Sequence, residues 1–354
     1  MLDIANHPVA ALPVCAVIVS YNRCADLARC LTSLGRQAPR LARVVVVDNG
    51  SADGTIAMVQ AQFPWVELYA ASSNLGPCVA RNAGVECSEE TLVWFLDSDT
   101  EIPETDGAAR MVSLFDRPEV VAAGGEAVLD GSGAVVGVKR LRLTENVMVQ
   151  GDTILADTPV SPCQVIASCN LMMRRSVFDR LGGFDPFYFF FAEDMDITYR
   201  ASRLGTLLAL SPMPVIHRYS EKVRIRSLWL DSRNRMYFIL KNLPAHRALL
   251  LPFYDAMTIL KLDSLRRLTR RARQGSAAVS LVTIAEAAPA APPGHALRRA
   301  VLMILRMLAK LGMAYAALPL VLGPALHARS HPPASPPPSR ALIRRLEPSG
   351  PVPQ

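Results

Sequence analysis

Residues 92–99 read LVWFLDSD, a run of five apolar residues followed at once by two aspartates separated by one residue. An apolar run of this kind, without alternating polar residues, is typical of a strand that helices cover on both faces. Two more such runs precede it, at Ala16–Val19 and Val44–Val47, and segments with helical periodicity separate the three. The pattern predicts an α/β fold with a parallel sheet, which extends from residue 14 to about residue 243.

The composition of the 354-residue chain excludes a purely disordered protein, because 51% of its residues are hydrophobic and only 19% are charged. Its seven cysteines include no C-x-x-C pair, which favours buried thiols in a reducing compartment over a disulfide or zinc framework. The first apolar run, Val14–Val19, is too short for a signal peptide. We therefore expect the catalytic region to lie in the cytoplasm.

The C-terminal third differs in composition from the rest. Leu249–Arg273 is predicted to form a basic amphipathic helix, and Leu297–Leu326 a second, apolar helical region. The charge-free run in this second region is shorter than the roughly 20 residues that a spanning helix needs. We therefore expect peripheral attachment to an anionic surface, the cytoplasmic face of the inner (plasma) membrane. Packing on the protein's own core and a re-entrant hairpin are the alternatives. The chain then divides into an N-terminal extension (1–13), a globular domain (14–243), a membrane-associated helical region (244–330) and a Pro-rich disordered tail (331–354).

The aspartates that end the 92–99 run have the spacing of a metal site. Two residues apart on an extended strand, Asp97 and Asp99 present their carboxylates on the same face, and such hard oxygen ligands suit Mg²⁺ or Mn²⁺ beside a diphosphate. His217 follows a short apolar segment and could supply a third ligand, the alternative being a core or loop histidine. The spacing alone is weak evidence, since Asp194 and Asp196 repeat it.

Polar residues also follow the first two predicted strands. Ser20 and Tyr21 end the first strand, and Asp48 ends the second. Open α/β sheets bind ligands at the carboxyl ends of their parallel strands, so these side chains are candidates for contacts with a base or a ribose. A turn followed by a helix cap at Asp48–Gly54 explains the second segment equally well.

An acidic cluster, formed by Glu193, Asp194 and Asp196, follows three phenylalanines at a predicted helix start. The helix dipole favours ionised carboxylates there and an aromatic wall limits solvent, so one of the three is a candidate general base. Acidic residues are also common in first helical turns, which is the simpler alternative. Arg233, in a helix predicted from Ser227 to Leu240, could face a departing diphosphate or only solvent.

Taken together, the ordered motifs resemble those of the family 2 glycosyltransferases, and among these the rhamnosyltransferase-like branch that builds cell-surface polysaccharides. The resemblance covers about residues 14–243 and rests on VSYN at 19–22, VDNGS at 47–51, NLG at 74–76, ARN at 80–82, DSD at 97–99, GFD at 183–185, EDMD at 193–196 and His217. It implies a GT-A fold, which is a nucleotide-binding, Rossmann-like mixed sheet flanked by helices. Many relatives carry a third aspartate where this chain has Ser98, although the outer two suffice for the metal role.

The resemblance also implies roles by position. The donor nucleotide would contact Ser20, Tyr21, Asn22, Asp48, Asn82, Asp97 and Arg233. The divalent metal, Mg²⁺ or Mn²⁺, would bind Asp99 and His217. Asp194 would be the general base of an inverting displacement. Glu193, also counted as catalytic, and Asp196 would position the acceptor or the loop.

The substrates that the resemblance implies are a dTDP- or UDP-sugar, carrying rhamnose or another hexose, and a saccharide or lipid-linked acceptor. Nucleic acid is not expected as a partner, because the basic helix lacks interleaved aromatic residues. A sugar nucleotidyltransferase is an alternative, although it should have a Gly-rich phosphate loop where this chain has SYNR at 20–23. A dehydrogenase would need G-x-G-x-x-G after a strand, and the sequence contains no such run. A non-catalytic, membrane-tethered binding protein should have lost Asp99 or Asp194, and both are present.

Overall fold

The computed structural model describes residues 11–129, 135–143, 149–155, 162–204, 207–218, 225–244, 246–248, 312, 317–329 and 339–347. The chain divides into two compact units, residues 1–222 with 330–354 and residues 223–329. The first unit therefore ends before the boundary predicted at residue 243. The helix predicted at Ser227–Leu240 forms, as α7, but it belongs to the second unit.

Strands and helices alternate along the first unit. Its N-terminal part contains β1 (Leu12–Ser20), α1 (Cys24–Gly35), β2 (Leu41–Asp48), α2 (Thr55–Gln62), β3 (Glu67–Ala71), α3 (Pro77–Val85), β4 (Leu92–Asp97) and β5 (Thr100–Glu101). The following part contains α4 (Gly107–Val112), β6 (Val120–Leu129), β7 (Val135–Leu143), β8 (Val149–Leu155), β9 (Asn170–Arg174), α5 (Arg175–Leu181), α6 (Glu193–Ser202) and β10 (Leu207–His217). The second unit contributes α7 (Ile225–Asn242), and the chain returns to the first unit with β11 (Ile343–Leu346).

The strands form one mixed, eleven-stranded sheet in the order β11-β3-β2-β1-β4-β9-β6-β10-β5, with β7 and β8 continuing from β6. Strands β3, β2, β1 and β4 are parallel, which confirms the prediction from the apolar runs, and β9 lies antiparallel between β4 and β6. The register places Ser20 beside Asp48 and Val19 beside Asp97. The polar residues at these strand ends therefore meet at one edge of the sheet.

Helices cover both faces of β1, as the absence of polar alternation indicated. On one face, Leu27 and Leu31 of α1 belong to the same buried cluster as Ile18. On the other face, α3 comes so close that a Cβ added to Gly84 would lie 2.5 Å from a methyl carbon of Val17. Successive residues of a strand point to opposite faces, so burial on both faces requires an apolar side chain at every position.

The prediction of a disordered tail is wrong for residues 339–347, which pack on the first unit. Strand β11 pairs antiparallel with β3 and covers that edge of the sheet. The Glu86 carboxylate accepts hydrogen bonds from the backbone N–H groups of Ser339 and Arg340, at 2.8 Å for each. The prediction of disorder relied on the high proline content of the tail. It overlooked the short segment Ile343–Leu346, in which two apolar residues flank two arginines.

The second unit includes α7 and a helix at 317–329. Among the residues that the structure describes, no helix combines the length and the apolar character needed to cross a membrane. The helix predicted at Leu249–Arg273 and most of the one predicted at Leu297–Leu326 lie outside the described residues.

Candidate active site

Asp97, Asp99 and His217 meet at the carboxyl end of β4. Strand β5 follows the two aspartates directly and pairs antiparallel with the end of β10, so that His217 lies opposite Thr100. The His217 Nε2 atom is 3.1 Å from Asp99 Oδ1 and 3.8 Å from Asp97 Oδ2. One potential ligand atom from each residue lies within 4.8 Å of the other two. The structure thus brings together the two predicted metal ligands, Asp99 and His217, and adds Asp97, which was predicted to contact the donor nucleotide.

The three side chains form a chemically suitable set for a hard divalent cation. Two carboxylate oxygens and one imidazole nitrogen suit Mg²⁺ or Mn²⁺, with water and phosphate oxygens as further ligands. Burial alone raises the pKa of Asp99, but the hydrogen bond to His217 and the charges of His217 and Arg23 outweigh it, and its pKa lies below the ordinary 3.8. Burial lowers the pKa of His217, yet the hydrogen bond to Asp99 and the neighbouring carboxylates raise it above 6.5. A cation at this position would therefore compete with a proton for His217.

Glu126, which no sequence motif indicated, lies behind His217. Its side chain is buried in β6, and its Oε1 atom is 3.9 Å from His217 Nδ1, too far for a hydrogen bond. Lys139 of β7 donates to the other Glu126 oxygen at 3.4 Å. The negative charge of Glu126 is one of the charges that raise the pKa of His217.

Ser20 and Asp48 form a buried polar pair where β1 and β2 end. They are paired across the two strands, and their side chains have almost no exposed surface. Asp48 Oδ1 accepts hydrogen bonds from the backbone N–H groups of Gly50 and Ser51, at 3.2 and 2.9 Å. Asp48 Oδ2 and Ser20 Oγ have no hydrogen-bond partner within the described part of the chain. Because buried polar atoms normally have partners, these two atoms mark a position for a polar ligand.

The loops after β1 and β2 are joined through Asn22. Its Oδ1 atom accepts from Ala52 N and its backbone N–H donates to Ser51 Oγ, both at 2.8 Å. The side-chain oxygen of Asn22 is thus engaged in holding the two loops together. Tyr21 beside it is 47% exposed, which leaves the ring at the rim of the sheet edge.

Asn82, predicted as a donor-binding residue, has another role in the structure. It is completely buried in α3. Its Nδ2 donates to the Phe184 carbonyl at 2.8 Å, and its Oδ1 accepts from Phe184 N at 2.9 Å. Both ends of the amide are used by the backbone N–H and C=O of the same residue, so Asn82 fixes the Gly183-Phe184 turn. The ARN motif could not reveal this partner, which is 102 residues away.

Asp194, the predicted base, lies in the first turn of α6 and is partly buried. Its Oδ1 atom accepts a hydrogen bond from Met195 N at 2.7 Å. Burial and the negative charge of Glu193 raise the pKa of the Asp194 carboxyl from 3.8 to about 7. A carboxyl group with a pKa near the working pH can accept and release a proton, as a general base must.

The other two members of the acidic cluster are engaged in ion pairs. Glu193 is buried and its Oε1 accepts from Arg81 Nη1 at 3.0 Å, so its carboxylate supports the site and is not available as a second base. Asp196 has no exposed surface and accepts from Tyr188 Oη at 3.0 Å and from Arg200 Nε at 2.8 Å. Of the two roles predicted for Asp196, holding the loop agrees with this geometry and contact with the acceptor does not.

Arg233 lies on α7 in the second unit. Its Nε donates to Asn234 Oδ1 at 2.9 Å, and burial lowers its pKa. Its role on a departing diphosphate stays a prediction.

Comparison with known proteins identifies the family. The profile described as Glycosyl transferase family 2 matches residues 15–182. An N-acetylglucosaminyltransferase of Bradyrhizobium elkanii is 36% identical over 133 residues, which are 36% of this chain and 72% of the relative. The chain belongs to glycosyl transferase family 2.

Other relatives of this family 2 glycosyltransferase are more distant. The N-acetylglucosaminyl-diphospho-decaprenol L-rhamnosyltransferase of Mycobacterium tuberculosis (strain ATCC 25618 / H37Rv) is 28% identical over 231 residues, covering 57% of this chain and 73% of the relative. Glycosyltransferase AglE of Haloferax volcanii is 26% identical over 208 residues, and the chain spans 57% of its own length and 66% of that of AglE. The name of the Mycobacterium tuberculosis relative agrees with the predicted rhamnosyltransferase-like branch.

The fold of the family 2 glycosyltransferase is similar to that of a solved mannosyltransferase from Pyrobaculum calidifontis in complex with GDP-Man and Mn²⁺. The TM-score is 0.53 at 18% sequence identity, and the match covers 93% of this chain and 90% of the other. The α/β, GT-A-like fold is thereby confirmed, whereas a C-terminal membrane appendage is not.

The family profile ends at Gly182, before the second half of the site. Asp48, Asp97 and Asp99 fall within the profile, but Asp194 and His217 do not. The fold supplies these two, because α6 and β10 return to the edge where β4 ends.

Proposed function

We propose that this family 2 glycosyltransferase is a metal-dependent, inverting enzyme that transfers a sugar from a nucleotide-sugar to an acceptor hydroxyl in polysaccharide biosynthesis. One observation carries the proposal. The guanidinium of Arg81 contacts both Asp97, which lies beside the predicted metal ligands Asp99 and His217, and Glu193, the residue next to the predicted base Asp194. Arg81 thus links the predicted metal site with the helix turn that carries the predicted base, which supports the proposal.

The residues divide the reaction between them. Ser20 and Asp48 offer their unpaired oxygens to the base or ribose of the donor, and Asp97, Asp99 and His217 would hold the metal against its diphosphate. When bound, a divalent cation there neutralises charge that develops on the departing diphosphate. Asp194 takes the proton of the acceptor hydroxyl while the hydroxyl oxygen forms its bond to the anomeric carbon of the donor sugar. The bond to the diphosphate breaks in the same displacement, which inverts the anomeric configuration and forms no covalent glycosyl-enzyme.

We propose a dTDP- or UDP-sugar as donor and a saccharide or lipid-linked acceptor. The name of the Mycobacterium tuberculosis relative supports the acceptor class, since it specifies a sugar linked to decaprenol through a diphosphate. A few side chains around the transferred sugar determine its identity, so the sugar has to be found by experiment.

Thermal-shift screening tests the donor and the metal together. We expect the melting temperature to rise when a dTDP- or UDP-sugar and Mn²⁺ or Mg²⁺ are added together, because a donor at 100 times its Kd stabilises the folded state by about 2.7 kcal/mol. GDP-sugars serve as the nucleotide control, and the same donors with EDTA as the metal control. Equal stabilisation in EDTA contradicts metal dependence. Release of pyrophosphate from a nucleoside triphosphate and a sugar phosphate would instead identify a nucleotidyltransferase.

We further propose that the protein attaches peripherally to the cytoplasmic face of the plasma membrane, partly through the helix at 317–329. On this helix Ala317, Val321 and Ala325 are fully buried, whereas three leucines are 42–59% exposed: Leu320, Leu322 and Leu326. Exposed apolar side chains grouped on one short helix are typical of an interaction surface, and they agree with the interfacial helix predicted over Leu297–Leu326.

Replacing these three leucines by serine should release the protein from anionic vesicles. Burying one leucine contributes about 1.5 to 3 kcal/mol, so we expect vesicle binding to weaken more than about tenfold in a flotation assay. Leu129→Ser is the control, because Leu129 is also exposed but lies in the first unit. A wild-type chain that stays with the soluble fraction in the presence of anionic vesicles contradicts peripheral attachment.

A further inference from the structure

Arg81 is a buried cation at the centre of the site, and none of the predicted roles includes it. Only 4% of its surface is exposed. Its Nη2 donates to Asp97 Oδ1 at 2.8 Å and its Nη1 to Glu193 Oε1 at 3.0 Å. The guanidinium also lies 5.2 Å from the ring centre of Phe184. The side chain thus joins α3, the end of β4 and the start of α6.

A charge buried this deeply is stable only when it is paired, and both partners of Arg81 are carboxylates. Desolvation opposes the cation, but Asp97 and Glu193 outweigh it and raise the pKa of Arg81 above its ordinary 12.5. Arg81 therefore keeps its positive charge at neutral pH. Its planar, two-sided donor geometry fits two carboxylates at once, which a lysine ammonium cannot reproduce.

We propose that Arg81 is a positioning residue for glycosyl transfer: it fixes the first turn of α6, and with it Asp194, relative to the metal-binding end of β4. This inference rests on the proposed function. Arg81 also compensates the charge of Glu193, the residue adjacent to the base. Without Arg81 the uncompensated Glu193 carboxylate would repel a second negative charge on Asp194 and keep the base protonated to higher pH.

The test compares Arg81→Met with Arg174→Met. Arg174 is a matched control, because its guanidinium also lies over a phenylalanine ring, at 5.4 Å from Phe115, and donates to backbone carbonyls. Among the hydrogen bonds and ion pairs of the described residues, none joins Arg174 to a carboxylate of the site. Both variants should lower the melting temperature. Only Arg81→Met should lower kcat by more than the loss of folded protein explains. Only Arg81→Met should also shift the acidic limb of the kcat–pH profile to higher pH, by about one pH unit.

Two further variants separate positioning from general stability. Arg81→Lys keeps the charge but not the two-sided geometry, so it should lower kcat less than Arg81→Met and leave the acidic limb near its wild-type position. The double variant Arg81→Met/Glu193→Gln removes both charges, and its acidic limb should return towards the wild-type pH while kcat remains low. If Arg81→Met fails to fold, Arg81→Lys and the double variant carry the test.

Hydrogen exchange gives a result that does not depend on turnover. In Arg81→Met the first-turn amides of α6 should exchange faster, while those of α5 should match Arg174→Met at equal melting temperature. Unchanged exchange in α6, together with a wild-type kcat–pH limb, overturns the positioning role. Faster exchange in a protein that transfers no sugar from any nucleotide-sugar leaves the positioning of α6 intact and overturns the proposed function instead.

Discussion

The Asp194→Asn variant is expected to lose glycosyl transfer almost completely while it still binds the donor. A positioned general base contributes about 100- to 10,000-fold to a rate, and an asparagine of the same shape cannot accept the proton. The variant removes no ligand from the metal set, because Asp97, Asp99 and His217 are unchanged. Turnover is measured as release of nucleoside diphosphate in the presence of acceptor, and donor binding by calorimetry with Mn²⁺.

Asp179→Asn is the control for this variant. Asp179 is a half-exposed helical aspartate of α5 that pairs with Arg175, and its replacement should leave turnover unchanged. Near-normal turnover of Asp194→Asn would show that another group takes the proton. Loss of donor binding along with turnover would place Asp194 in the donor site.

The raised pKa of Asp194 determines the pH dependence of both activity and stability. The base works only when ionised, so wild-type kcat should fall as the pH drops below about 7. Between pH 3.8, the ordinary pKa of an aspartate, and about pH 7, Asp194 holds a proton in the folded chain that it has released in the unfolded chain. The free energy of unfolding therefore falls as the pH rises through this window. Without metal, Asp194→Asn should therefore melt at a higher temperature than wild type at pH 8, and this difference should shrink at pH 5.

The parts of the site predicted from the sequence share one physical origin. Ser20, Asp48, Asp97 and Asp99 each follow an apolar run, and the carboxyl ends of parallel strands meet at one edge whatever the intervening helices contain. The pattern around each run is local, so it can be read from a few consecutive residues. The register of β1 with β2 and β4 confirms that they converge.

The residues that the sequence did not reveal depend on partners far along the chain. Arg81 pairs with Glu193 across 112 residues, and Glu126 approaches His217 from the middle of β6. The role of neither residue can be predicted from its neighbours in the sequence, although Arg81 lies in the ARN motif, because an arginine in a helix and a glutamate in a strand usually face solvent. Asn82 shows the opposite case, since it lies in a recognisable motif and its side-chain amide forms hydrogen bonds with the backbone of Phe184. A motif indicates that a residue matters, whereas only the fold shows which group it contacts.

Asp99→Ala should abolish metal-dependent donor binding and, with it, transfer. Asp99 has the lowered pKa of a carboxylate that stays ionised, and its Oδ1 contacts His217. A cation on the diphosphate contributes several kcal/mol to the stabilisation of developing charge, which corresponds to about 100-fold or more in rate. Donor affinity with Mn²⁺ should fall to the value that wild type shows in EDTA. Asp116→Ala, an exposed aspartate outside the site, should bind as wild type.

Comparing Asp99→Ala with Asp194→Asn separates binding from chemistry. If Asp99 holds the metal, its variant loses the Mn²⁺-dependent part of donor affinity, and addition of Mn²⁺ no longer raises its melting temperature in the presence of donor. If Asp99 served only to orient His217, Mn²⁺ would still strengthen donor binding, and His217→Ala would reproduce the defect of Asp99→Ala in full. A substitution at Asp97 cannot distinguish these roles. One oxygen of Asp97 is bound to Arg81, so removing the carboxylate would disturb α6 as well. Asp99 is therefore the position at which metal dependence can be tested without disturbing the base.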